Sequence, residues 1–249
     1  MRRHDRVYLV PEAPFATPCA EEGGPLWQAA RRWIDGGRPL VAARQAAGDG
    51  RLALGLSLPL AHDRKRLTIG VDRDRVAAVR PPVAVAPCLS RLPVPEADAL
   101  RRLDDEIAGC GATLGVFGSL AWEAVSGEAY RHAGSDIDVI CDVGDRSQYA
   151  LALAALVRAQ SRLACRLDGE LRLPDGKAAA WRELAGAEGR PGQMVLVKGE
   201  AAPVLMPLSG FLGDGGSAVP AVRGPERVPR LPSHAFSPDA NPPPVSRPW

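Results

Sequence analysis

Gly115-Val116-Phe117-Gly118-Ser119-Leu120-Ala121-Trp122, followed by Ser135-Asp136-Ile137-Asp138-Val139-Ile140, is the part of this 249-residue sequence that says most about its fold and chemistry. Thr113 to Phe117 predicts a short apolar strand, Gly118-Ser119 a turn, and Leu120 to Ser126 a helix. A glycine at the end of a strand lets backbone approach a phosphate closely. The first amides of the next helix, with the Ser119 hydroxyl, supply donors for its oxygens. Ile137 to Cys141 predicts a second strand. Along it the alternation of side chains sends Asp136 and Asp138 to one face and Ile137 to the other. Two carboxylates so close repel one another unless they are protonated or bridged by a cation, and an all-oxygen set suits Mg²⁺, which also takes ligands from substrate phosphates. An isolated Asp-x-Asp more often marks a solvated strand edge. The upstream Gly-Ser loop and the apolar Val139-Ile140 behind it turn the reading toward a phosphate and metal site.

Working outward, a third carboxylate is expected from a neighbouring strand. Arg166-Leu167-Asp168-Gly169-Glu170-Leu171 offers Asp168 and Glu170 on one face; Asp168 is preferred because it directly follows an apolar strand residue, and Glu170 stays open. Lys198, which ends Met194-Val195-Leu196-Val197, is the candidate to neutralise phosphate charge. His4, Asp5, Arg6 and the basic turn Arg64-Lys65-Arg66 are candidates to meet an acidic partner or the body of the substrate, since complementary charge steers encounter. Trp122 reads as a packing residue rather than a stacking platform.

Elsewhere Trp27, Ala30, Trp33 and Ile34 recur at helical spacing and Gly36-Gly37 ends the run. Pro39 to Ala43, Leu52 to Leu58 and Arg66 to Val71 read as three strands of a small α+β unit. The prolines Pro81, Pro82, Pro87, Pro93 and Pro95 interrupt helix and central strand and place a boundary near residue 98. A helix over Ala97 to Cys110 then leads into the second domain. Gln148 to Gln160 reads as a long helix, and Leu163 to Leu173, Ala178 to Trp181 and Met194 to Lys198 as strands. The expected organisation is therefore an N-terminal α+β domain over 1–98, a second domain over 99–210 with a mixed sheet flanked by helices, and a Pro/Gly-rich tail over 211–249. The tail holds too few large apolar groups to offset its ordering entropy and is expected to be disordered.

Composition, at 46% hydrophobic and 24% charged, is that of a globular protein. The net charge of +2 leaves no global basic field to argue for nucleic acid, so any site for a polyanion must be local. No apolar run reaches the ~20 residues that span a bilayer, and Met1 to Arg6 lacks the apolar stretch of a signal peptide, so a cytoplasmic protein is expected. The five cysteines are widely spaced and lack the close pairs that clasp zinc; they are expected to be reduced and structural.

Gly118-Ser119 followed by Ser135-Asp136-Ile137-Asp138 resembles the signature of the polymerase-β-like nucleotidyltransferase superfamily. The stretches Phe117 to Ala124, Leu167-Asp168-Gly169-Glu170, Leu173-Pro174-Asp175-Gly176 and Ala180-Trp181-Arg182-Glu183 look like the malonate decarboxylase holo-acyl-carrier-protein synthase family, also called phosphoribosyl-dephospho-CoA transferase. Arg3-His4-Asp5 and Leu54 to Pro59 look like that family's opening segment, so the resemblance spans about residues 3 to 208. It implies a polymerase-β-like fold for the second domain, with Asp136 and Asp138 at the positions of the catalytic aspartates. The implied substrate is dephospho-CoA carrying a triphosphoribosyl group. The implied partner is the acyl carrier protein of malonate decarboxylase, whose serine accepts the group with release of pyrophosphate. The motif alone also allows transfer of AMP or another nucleotide to a different acceptor, or an inactive carrier-binding protein.

Overall fold

The computed structural model describes residues 1–45, 50–190, 192–199 and 202–213. Its first sheet has five strands, β1 (Arg6–Leu9), β2 (Leu40–Ala42), β3 (Leu52–Ser57), β4 (Arg66–Val71) and β5 (Val76–Arg80), in the order β4-β3-β2-β1-β5 with antiparallel neighbours. Three of these strands were expected. β1 and β5 escape a pattern search because β1 is a four-residue strand and β5 alternates only between half-buried and exposed. In β3 and β4 the period of two is strict: Leu54, Leu56, Leu67 and Ile69 are buried, while Gly55, Ser57, Arg66 and Thr68 face the other way. Helix α1 (Pro25–Asp35) starts on Pro25, whose missing N–H is no loss at that position, and buries Ala30, Trp33 and Ile34 in the first core.

After Arg80 the chain changes core. Val83, Val85 and Cys88 already belong to the second core, so the change falls near residue 82, well before the boundary expected near residue 98. The prolines misplace it for a physical reason. Pro81 and Pro82 follow the end of β5, Pro87 lies in the short helix α2 (Val85–Cys88), and Pro93 and Pro95 flank the first turn of α3 (Val94–Gly109), where a missing N–H costs nothing.

The second sheet has the order β6-β7-β8-β9, from β6 (Thr113–Phe117), β7 (Ile137–Asp142), β8 (Leu167–Arg172) and β9 (Ala178–Ala180). It is mixed: β7 and β8 run parallel, joined by helix α5 (Arg146–Gln160), and the other neighbours are antiparallel. Asp145 caps α5 by accepting the Gln148 amide at 2.8 Å. Helix α4 (Gly118–Ser126) follows β6 directly and ends at Gly127 in left-handed conformation. Beyond β9 come α6 (Trp181–Ala187), the hairpin strands β10 (Met194–Val197) and β11 (Val204–Pro207), and α7 (Leu208–Leu212). Phe211 of α7 is fully buried, so the packed chain extends past the expected tail start at 211; the rest of that tail, from residue 214, lies outside the described residues. All five cysteines are free thiols. Among the described residues no helix is long and apolar enough to cross a membrane.

Candidate active site

β6, α4 and β7 build the site. Gly118 turns the chain from β6 into α4 at φ 68°, a conformation that side chains disfavour, and a Cβ placed there would collide with the Asp138 carboxylate. Phe117, the residue before it, pairs with Asp138 across the β6–β7 ladder. Asp138 therefore lies immediately under the Gly118-Ser119 turn, and no side chain caps the first amides of α4. Asp136 precedes β7 by one residue, and both aspartates line the same cleft together with Gly118 and Ser119. Ser135, buried between Gly134 and Asp136, holds the approach to β7: its hydroxyl accepts the His132 amide at 2.9 Å, and its own amide donates to the His132 carbonyl at 2.9 Å.

The cleft has a volume of about 840 Å³, at the upper end of the ~300–1,000 Å³ range usual for small-molecule sites, so it can admit a nucleotide-sized ligand. One wall is the polar face of the first sheet, with Gly55, Ser57, Arg66 and Thr68; the other is the Gly118 turn and β7. Trp122 also touches the cleft, but its main role is packing. It is buried in the first core, edge-on to Trp33 at 5.4 Å and stacked on Tyr130 at 6.2 Å between ring centroids.

The parallel register of β7 and β8 sets Asp168 directly beside Asp138. Burial first, and then the charges of Asp168 and Asp136, push the Asp138 carboxyl up to about 6; Arg66 and Arg166 act against the rise. Arg166 lies 3.3 Å from Asp168 and 4.0 Å from Asp136. This arrangement separates the two open choices for a third carboxylate. Asp168 shares the neighbourhood of Asp138. Glu170 is buried in a cage, receiving hydrogen bonds from Arg3 and, at 3.0 Å, from Lys198. Burial alone would raise the Glu170 carboxyl, but those two cations outweigh it and hold it below the usual carboxylate range.

Lys198, expected to meet substrate phosphate, is placed on Glu170 instead and is not among the residues that line the cleft. A bridge between Ala178 and Lys198 carries it to the β9 side of the sheet, which strand-end position in the sequence does not reveal. Asp168 likewise stands outside the cleft lining. Among the described residues no three His, Cys, Asp or Glu side chains are gathered closely enough to hold an ion by themselves. Asp136 and Asp138 thus present a pair of carboxylates to the cleft. Such a pair fits a hard divalent cation that completes its shell with water and substrate oxygens.

Two contacts of the site depend on pairing that the sequence pattern does not reveal, although His4 itself is a sequence candidate to meet a partner or the substrate. His4, at φ 72°, stacks on Phe117 with ring centroids 3.9 Å apart, so the chain's opening segment braces the residue before Gly118. Burial, reinforced by the Arg3 charge, pushes the His4 ring down to about 3 and keeps it neutral. The other is Arg166, whose closeness to two of the three aspartates depends on strand pairing.

With this geometry in hand, comparison with known proteins is decisive. The family model described as phosphoribosyl-dephospho-CoA transferase MdcG N-terminal domain matches residues 2–82, and the one described as the MdcG C-terminal domain matches residues 84–209. The chain belongs to the phosphoribosyl-dephospho-CoA transferase family. The seam between the two matches falls where the packing changes core. Proteins named phosphoribosyl-dephospho-CoA transferase are similar over most of their length. One from Xanthomonas campestris pv. campestris (strain 8004) is 36% identical over 200 residues, which is 79% of this chain and 89% of the relative. One from Pseudomonas aeruginosa (strain PAO1) is 31% identical over 209 residues, 80% of this chain and 89% of the relative. One from Bradyrhizobium diazoefficiens is 31% identical over 188 residues, 74% of this chain and 82% of the relative. No solved structure matches the chain. As a member of this family it is a transferase.

Proposed function

We propose that this transferase attaches the phosphoribosyl-dephospho-CoA group, from its triphosphate precursor, to a serine of the acyl carrier protein of malonate decarboxylase, and that Asp136 and Asp138 hold the divalent cation this needs. The observation that carries the reading is the convergence of Asp136, Asp138 and the uncapped start of α4 at Gly118-Ser119 in one cleft. In the transfer the serine oxygen bonds to the α-phosphorus, the bond from that phosphorus to the pyrophosphate oxygen breaks, and the hydroxyl proton is lost to solvent. A cation bound at the aspartates would neutralise phosphate charge and lower the pKa of the attacking hydroxyl.

The chain's own residues supply position. Gly118 lets the phosphate approach backbone, Ser119 and the first α4 amides offer donors to its oxygens, and Asp168 adds negative charge beside Asp138 that strengthens attraction for a cation. No histidine or cysteine nucleophile is required, because such chemistry depends on alignment and charge stabilisation more than on a covalent intermediate. A protein confined to the cytoplasm, where the thiols stay reduced, agrees with the free cysteines.

The test is to incubate the purified chain with apo carrier protein, the triphosphoribosyl-dephospho-CoA precursor and Mg²⁺. The carrier serine gains the mass of the group and pyrophosphate appears in equal amount, while Asp136→Asn and Asp138→Asn cut turnover by orders of magnitude. Transfer of AMP from ATP in its place, or near-normal transfer by the doubly substituted chain, overturns the reading.

A further inference from the structure

Across the cleft from Asp136 and Asp138 stands the turn that joins β3 to β4. Arg64 and Arg66, on that turn and the strand it enters, are exposed and line the cleft. Among the described residues neither has a carboxylate at ion-pair distance, whereas Arg3, which also lines the cleft, is committed to Glu170. The strand register sets Arg66 opposite Ser57 and Thr68 opposite Gly55, so the guanidinium shares its face with small and hydroxyl-bearing neighbours that leave room for a ligand.

The turn is held in an uncommon shape. Asp63 and Arg64 are consecutive left-handed residues, with φ of 54° and 52°, and non-glycine residues keep that conformation only where their surroundings impose it. Within the turn the Arg64 amide donates to Pro59 at 3.2 Å and the Lys65 amide to His62 at 3.0 Å. The base of the turn is tied to the connection between α4 and β7: the Leu60 amide donates to the Ala129 carbonyl at 2.9 Å, and the Tyr130 hydroxyl donates to the Ser57 carbonyl at 3.0 Å. The same connection leads into Asp136. The backbone that carries the arginines is therefore tied to the segment that leads into Asp136 and is not a free loop.

We propose that Arg64 and Arg66 form the subsite for the terminal two phosphates of the triphosphate, gripping them from the side opposite the aspartates. This rests on the reading that a triphosphate occupies the cleft. The α-phosphate must stay at the aspartates and the α4 amides, where bond exchange occurs. The two phosphates that leave carry most of the charge, and guanidinium groups on the opposite wall pair with the oxygens that a cation at the aspartates leaves uncompensated.

The test is calorimetric titration of inorganic pyrophosphate, in magnesium buffer, into the full chain, alongside transfer assays with pyrophosphate as product inhibitor. The wild-type chain binds pyrophosphate. Substitution of Arg64→Gln with Arg66→Gln weakens that binding and the inhibition at least tenfold, Arg64→Lys with Arg66→Lys recovers part of it, and Arg101→Gln, on the exposed face of α3, changes neither. Pyrophosphate affinity in the double Gln variant equal to wild type, with its unfolding midpoint unchanged, overturns the subsite and leaves the transfer reaction standing. A wild-type chain that neither transfers the group nor releases pyrophosphate overturns the reading on which the subsite rests.

Discussion

Asp138→Asn is expected to abolish transfer and at the same time make the cation-free protein more stable. The Asp138 carboxyl rises from an ordinary 3.8 to about 6 because it is half-buried and stands beside the charges of Asp168 and Asp136. At about 1.4 kcal/mol per pH unit, that rise corresponds to about 3 kcal/mol of repulsion and lost hydration in the ionised folded state. The sign follows from proton linkage. The folded state binds this proton more tightly than the unfolded chain, so stability falls as pH rises through the interval from 3.8 to about 6; the whole penalty is present above it and none below. Asparagine keeps the shape and removes the charge. Denaturant unfolding in EDTA at pH 8 should therefore show the variant more stable by about 2–3 kcal/mol, or about 5–10 °C in Tm, with the gap reduced to about half at pH 5. Adding Mg²⁺ at pH 8 should raise the midpoint of the wild-type chain and leave the variant nearly unmoved, because only the former gains a ligand-linked term. Equal stability of the two proteins at pH 8 without cation, or a variant less stable there, would refute the picture of an electrostatically strained carboxylate cluster.

Other outcomes follow from the same geometry. Gly118→Ala forces a side chain into left-handed backbone and into the Asp138 carboxylate; it should cost about 1–3 kcal/mol and lower kcat sharply, and an alanine variant with wild-type kcat and midpoint would count against the close approach. Asp168→Asn should weaken Mg²⁺ binding, read by calorimetry, with little loss of stability, whereas Glu170→Gln should leave Mg²⁺ affinity intact and lower stability. Because Arg3 and Lys198 hold the Glu170 carboxyl below its ordinary 4.5, its contribution is present above that value and is lost as pH falls through the lowered one; a Glu170→Gln variant with normal stability but no Mg²⁺ binding would reverse the two assignments. Arg172→Gln removes a buried guanidinium that donates to both Asp142 oxygens, at 2.6 and 2.8 Å, and to the Arg3 carbonyl at 2.9 Å. It should cost about 2–4 kcal/mol in urea unfolding while pyrophosphate affinity stays unchanged.

What the sequence revealed is what is local in the chain. Thr113 to Phe117 forms β6 over those residues, Arg66 to Val71 forms β4, and Asp136 and Asp138 line one cleft as the period of two requires. Turn chemistry was equally readable at Gly118, where only a residue without Cβ fits. The parts that stayed hidden depend on pairing between distant segments. Lys198 looks like any strand-end lysine until its bridge to Ala178 sets it on Glu170. Asp168 and Glu170 are equivalent by alternation, and only the register with Asp138 and the arrival of Arg3 from the far end of the chain tell them apart. The core change near residue 82 was obscured because a proline reads alike at the end of a strand and in the first turn of a helix.

The polar face of β8 shows how one sheet serves both stability and chemistry. Asp168, Glu170 and Arg172 alternate along that face, and all three are charged. At one end Arg172 is saturated by Asp142 and the Arg3 carbonyl; next, Glu170 is closed off by Arg3 and Lys198. These two charges need nothing from a ligand, and because their partners come from residues 3 and 142 as well as 198, they also fix the opening segment on which His4 leans toward Phe117. Asp168 has only the exposed Arg166, and across the ladder Asp138 has no ion-pair partner among the described residues. Charge satisfaction thus declines along the strand toward the Gly118 turn. A half-buried carboxylate left short of partners is costly in a purely structural setting, so the place where this protein leaves it unmet is where the proposed cation and phosphate would supply the difference.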